Sequence, residues 1–149
     1  AALTAPPVTV QSSKEQASAL AERGKEHFKQ KEYLEALECY TSAVELTQQE
    51  ELREEPAENG VYLYDLLCKR AACHIEIQDF ASALSDANKA VEIDTGTAEA
   101  YFLRGRALEG LGSYAQALEC LQWAREIKRE ANGGMEQLVA EHSKGSLDS

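Results

Sequence analysis

Three stretches of this chain are versions of one another. Tyr33-Leu34-Glu35-Ala36-Leu37 and its continuation to Leu46 can be laid over Phe80-Ala81-Ser82-Ala83-Leu84 and its continuation to Ile93. Both then lie over Tyr114-Ala115-Gln116-Ala117-Leu118 and its continuation to Ile127. A second alanine follows the first by seven residues each time, at Ala43, Ala90 and Ala124, and a small residue stands twelve before the first alanine, at Gly24, Ala71 and Gly105. The first alanines are 47 and then 34 residues apart. A sequence built from one repeated unit folds as a stack of those units, each burying the apolar face that its neighbour cannot bury alone.

The unit itself reads as two helices. Alanine, leucine, glutamate and lysine dominate the middle of the chain, and all four are strong helix formers. Small residues at recurring offsets let two helix axes approach closely, with Leu20, Tyr40, Leu67, Tyr101 and Leu121 filling the space between them. The chain is 44% hydrophobic and 28% charged, so it has the material for a core. The first thirteen residues, with Pro6, Pro7 and the polar Gln11-Ser12-Ser13, read as a linker or disordered lead whose serines are available to cap the next helix. The extra residues of the longer interval fall at about 49–61, where five glutamates stand against Arg53. Pro56 and Asn59-Gly60 mark a turn there before a new helix from about Val61. Asn132-Gly133-Gly134 reads as a helix stop, followed by a short capping helix at about 135–143 carrying Met135, Leu138 and Val139, and a tail over 144–149.

A period of 34 with small residues at these offsets resembles the tetratricopeptide repeat (TPR), over roughly residues 17 to 130. The resemblance implies an all-α right-handed superhelix within 14–143, with repeats at about 17–48, 64–97 and 98–131. The acidic insertion is similar to extensions in the TPR domains of immunophilin co-chaperones. It also implies a concave groove lined by the first helix of each repeat, in which a partner peptide or helix lies. The groove positions are Ala21, Lys25, Phe28 and Lys29 in the first repeat and Asp65, Cys68, Lys69, Ala72, Ile75 and Glu76 in the second. The third supplies Glu99, Phe102, Leu103, Arg106 and Glu109. Lys25, Lys69 and Arg106 would make a basic strip suited to a carboxylate. Phe28, Phe102 and Leu103 add apolar contact beside it.

The dicarboxylate clamp, by which TPR domains hold the C-terminal EEVD of heat-shock chaperones, uses lysine and asparagine, then asparagine, then lysine and arginine. At the matching places this chain has Ala21 and Lys25, then Lys69, then Glu99 and Leu103. None matches, and Glu99 would repel a carboxylate.

Other chemistry is not indicated. A net charge of −11 disfavours nucleic acid, and no apolar run is long enough to cross a bilayer. Cys39, Cys68, Cys73 and Cys120 form no CxxC pair and read as packed free thiols, which points to the cytoplasm or nucleus. Cys68, Cys73 and His74 do not converge on one metal, and neither metal nor cofactor is expected. No nucleophile–base–orienter set or phosphate loop appears, so no enzyme activity is expected within these residues. His27 and His74, Cys39 and Cys120, and Arg23, Arg70 and Arg104 each share a repeat position, which favours packing and ion pairing. Trp123 reads as a filler beside the capping helix or as an aromatic anchor.

The function that follows is a protein-binding adaptor or scaffold. Two alternatives are a co-chaperone adaptor for chaperone tails through a non-standard basic groove, and the targeting or regulatory segment of a larger enzyme.

Overall fold

The computed structural model describes residues 13–51 and 58–147, with side-chain surroundings over 13–49 and 63–133. Six helices account for the described chain: α1 (Ser13–Lys29), α2 (Tyr33–Glu51), α3 (Glu58–Glu76), α4 (Phe80–Ile93), α5 (Ala98–Gly110) and α6 (Tyr114–Leu147). They form three helical hairpins, α1–α2, α3–α4 and α5–α6. Successive hairpins pack α2 on α3 and α4 on α5, and α3 also touches α5, so the array is an all-α superhelical stack.

Small residues set the spacing inside each hairpin. A Cβ at Gly24 would stand 2.9 Å from the Tyr40 ring, and one at Gly105 would stand 2.8 Å from Leu121 Cγ and 3.2 Å from the Ala117 carbonyl oxygen. Ala36, Ala43, Ala71, Ala83 and Ala90 are fully buried, and Ala117 and Ala124 nearly so. The alanine ladder seen in the sequence is therefore the seam along which helices meet.

The hairpin turns are built alike. Lys31, Gln78 and Gly112 occupy one repeat position, and all three have positive φ, at 62°, 66° and 83°. Around each, the chain makes the paired hydrogen bonds of a Schellman turn. Lys31 N–H donates to the Phe28 carbonyl and Glu32 N–H to that of His27. Gln78 with Asp79, and Gly112 with Ser113, repeat the pattern. The imidazole Nδ1 of His27 sits 2.7 Å from the Glu32 carboxylate, bracing the end of α1 to the start of α2. The equivalent His74 lies 3.7 Å from Asp79 and 3.6 Å from Asp86. Burial lowers the His74 pKa and keeps the ring neutral.

Two ties link hairpins or helices through polar groups. Arg70 of α3 grips Asp86 of α4 with both ends of its guanidinium, at 2.8 and 2.6 Å. The Tyr64 hydroxyl accepts from the Thr97 hydroxyl and from Ala100 N–H, so α3 caps α5. Burial pushes the Tyr64 phenol up to about 12, which keeps it protonated. All four cysteines are free thiols, and burial raises Cys68 and Cys73 to about 12.

Two expectations need correction. Asn59-Gly60 makes no turn before α3 but lies within its first turn, which begins at Glu58 rather than Val61. The first N–H groups of a helix lack intrahelical acceptors in any case, so glycine and asparagine cost little there. Asn132-Gly133-Gly134 is no stop either, since α6 runs unbroken from Tyr114 to Leu147 and no separate capping helix forms. Each glycine costs about 1 kcal/mol in a helix, which the strong helix formers on both sides offset. A Cβ at Gly133 would meet nothing, so no packing demands a bend. The acidic insertion falls largely outside the described residues, as does the lead before Ser13.

Gln78→Gly should raise stability by about 0.5–1 kcal/mol by relieving a side chain held at positive φ, whereas Gly112→Ala should lower it by about 1 kcal/mol. Thermal melts of the two variants test this pair of opposite signs.

Candidate functional site

The face shared by α1, α3 and α5 carries the expected binding positions, but those positions are not equivalent in exposure. Lys25, Lys29 and Arg106 are exposed and form no ion pair among the described residues. Phe28 is half-buried against the core and meets Tyr33 edge-on, with ring centroids 5.2 Å apart. Lys69 is half-buried and held at 3.1 Å by Asp65, one turn earlier on α3. Phe102 is 47% exposed, whereas Ile75 and Leu103 belong to the core at 6% and 7%.

The face is thus a mixture of open cations, one neutralised cation and a single large exposed ring. Lys69 shares its surroundings with two carboxylates. Burial raises the Glu99 pKa first, the Asp65 charge raises it further, and Lys69 pulls it back. Asp65, Lys69 and Glu99 therefore stand together at the meeting of α3 and α5, with charge close to balanced or negative. The i, i+4 spacing of Asp65 and Lys69 was a signal in the sequence for that pair. The approach of Glu99 depends on the packing of α3 on α5, which spacing alone does not reveal.

At the α5 end, a cavity of about 590 Å³ opens between α5 and α6. Glu99 and Phe102 line it with Ala98, Leu121, Ala124, Arg125 and Lys128. Sequence reasoning missed Arg125 and Lys128, because they lie on the second helix of their repeat. Among the described residues no group of histidines, cysteines and carboxylates is placed to hold a metal, and no helix is long and apolar enough to cross a membrane.

The tetratricopeptide repeat model matches residues 17–50 and 98–130. The chain belongs to the tetratricopeptide repeat family. It is 34% identical over 107 residues to protein unc-45 homolog B of Mus musculus, which covers 72% of this chain and 10% of that protein. It is 32% identical over 108 residues to the mitochondrial import receptor subunit TOM70 of Mus musculus, covering 72% of this chain and 16% of that protein. The chain thus spans only about a tenth to a sixth of these relatives. Among solved structures, the first TPR of Spaghetti (RPAP3) bound to the HSP90 peptide SRMEEVD is similar at TM-score 0.66 and 27% identity. That match covers 91% of this chain and 98% of that one. The TPR2B domain of yeast Sti1 in complex with an Hsp70 peptide is similar at TM-score 0.65 and 26% identity, covering 90% and 98%.

The contrast between neighbouring positions on α5 is measurable. Leu103→Ala should cost about 2–4 kcal/mol, as expected of a buried leucine. Phe102→Ala should change stability by less than about 1 kcal/mol, since half of that ring is already in water. Chemical denaturation of both variants checks this assignment of core and surface.

Proposed function

We propose that this chain is a protein-binding adaptor module that receives a peptide or helix along the face of α1, α3 and α5. The observation that carries the reading is the combination on that face of the half-exposed Phe102 with exposed Lys25, Lys29 and Arg106, which form no ion pair among the described residues. Exposed cations steer an acidic partner and fix its register, while an aromatic ring in a partly apolar cavity supplies anchoring area. Domains of the same fold and comparable size hold peptides in the solved structures described above, which supports the reading. Phe28 and the exposed edges of Ile75 and Leu103 form the floor beneath the ligand, and Lys69 contributes only when the partner displaces Asp65.

A second reading, as an adaptor for heat-shock chaperone tails, is favoured by the SRMEEVD peptide in a similar structure. The local charges weigh against a strong clamp of the usual kind. Lys69 is already paired with Asp65, and Glu99 stands where a lysine would hold the tail. We read any such binding as weak and dependent on Lys25 and Arg106. The much greater length of the relatives supports a third reading, in which the module targets or regulates a larger protein. On every reading the module itself is non-catalytic and works without metal or cofactor in the cytoplasm or nucleus, and neither nucleic acid nor membrane is its partner.

Capture of native partners by crosslinking tests the first reading. Charge reversal in Lys25→Glu/Arg106→Glu should reduce capture several-fold while leaving the helical circular dichroism unchanged, and undiminished capture would sink the assignment of this face. Calorimetric titration with a C-terminal MEEVD peptide tests the second. Glu99→Gln should strengthen that association, because a repulsive carboxylate is removed. Lowering the pH should act in the same direction in the parent protein, since the raised pKa of Glu99 makes it lose charge before an ordinary carboxylate does. A peptide that binds neither protein at low salt would exclude chaperone tails.

A further inference from the structure

The three repeats place an arginine at the same point of their first helices, and the fate of that arginine differs. Arg70 donates from Nε and Nη2 to the Asp86 carboxylate sixteen residues later. The residue sixteen after Arg104 is Cys120, so the acceptor present in the second repeat is missing from the third. The two side chains still border one cleft. Burial raises the Cys120 thiol pKa, and the nearby Arg104 charge opposes that rise. A neutral thiol is a poor acceptor, and Arg104 Nε is buried with no hydrogen-bond partner among the described residues. In the first repeat the equivalent Cys39 also lacks a carboxylate, but Arg23 is exposed and solvated.

Arg104 borders a cleft of mixed polar and apolar lining. The cleft, of about 440 Å³ between α5 and α6, is also lined by Tyr101, Leu108, Gln116, Cys120 and Trp123. Tyr101, Arg104 and Leu108 lie on the side of α5 roughly opposite Phe102 and Arg106, so this is not the surface assigned above. Trp123 is 54% exposed, although its ring meets Tyr101 edge-on at 6.4 Å. A guanidinium with a buried, unused donor beside exposed aromatic rings suits a carboxylate carrying an apolar neighbour. The charge is satisfied by a bidentate contact, and the neighbour packs on the indole. Glu119 also lines the cavity, but no ion pair joins it to Arg104 among the described residues.

We infer that the cleft between α5 and α6 is a second recognition site, in which Arg104 receives an acidic side chain of a partner protein and Trp123 packs against the adjacent apolar or aromatic residue. The partner carboxylate takes the place that Asp86 fills in the second repeat.

Trp123 is the only tryptophan in the chain, so the site carries its own fluorophore. The probes are the dipeptides acetyl-Glu-Phe-amide and acetyl-Gln-Phe-amide, with phenylacetate as a free acid, each titrated at matched ionic strength. The glutamyl dipeptide should shift Trp123 emission saturably, and the glutaminyl one should bind about tenfold or more weakly, the value of a charged hydrogen bond. Arg104→Gln should abolish that preference. Cys120→Asp restores the internal acceptor and should also abolish it, with a melting temperature no lower than that of the parent, which separates loss of the site from loss of the fold. Glu119→Gln should leave binding intact or tighten it. Equal responses to the two dipeptides, or carboxylate-selective binding that survives Cys120→Asp, would overturn the proposal. Binding of phenylacetate without the glutamyl dipeptide would overturn the assignment to a protein partner.

Discussion

Close approach of paired helices at glycine and alanine is the constraint on which the structure rests. Where Gly24 lies under the Tyr40 ring and Gly105 under Leu121, no Cβ fits without displacing a packed side chain. The short interaxial distance lets an alanine ladder from Ala36 to Ala124 form the seam of each hairpin. It also fixes the angle at which a hairpin presents its outer side to the next. The shared face of α1, α3 and α5 is a consequence of that angle, repeated.

Polar contacts then hold a geometry that packing has already chosen. The turns at Lys31, Gln78 and Gly112 satisfy the terminal carbonyls of each first helix in the same way, yet only one of them uses glycine. Identical turns from dissimilar residues indicate that helix packing dictates the left-handed conformation and the side chain tolerates it. The Tyr64 hydroxyl at the start of α5 acts similarly, satisfying the Ala100 N–H that the helix cannot pair internally. These ties connect helices that are distant in sequence, and so they make the stack behave as one body.

Much of this was legible in the residues, because repetition supplies its own control. Ala71 and Gly105 declared themselves as crossing points by agreeing with Gly24 in register, and the structure buries all three. Local signals read without that control fared worse. Asn132-Gly133-Gly134 and Asn59-Gly60 look like breaks, but a helix tolerates glycine wherever no tertiary contact pulls the chain aside. On the candidate face, helix periodicity located the positions but not their burial. Leu103 and Phe102 are adjacent, and only the tertiary packing that draws Leu103 into the core cluster with the preceding helices decides that one is core and the other surface. The charge state of that face was equally hidden, because it depends on Glu99 reaching Asp65 and Lys69 across two helices.

Departures from repetition carry more functional information in such a fold than repetition does. A feature shared by all three units, such as the arginine of the first helix, is explained by what every unit needs. The same feature deprived of its partner is not. Arg70 and Arg104 occupy equivalent backbone positions, so the difference between a bidentate pair and an unpaired buried nitrogen comes from Asp86 and Cys120 alone. Leaving a buried charged donor without an acceptor costs free energy, commonly about 1–3 kcal/mol or more. The adjoining cavity leaves Trp123 half in water. A fold that could have filled both with one carboxylate, as it does one repeat earlier, has a place for that carboxylate to arrive from outside.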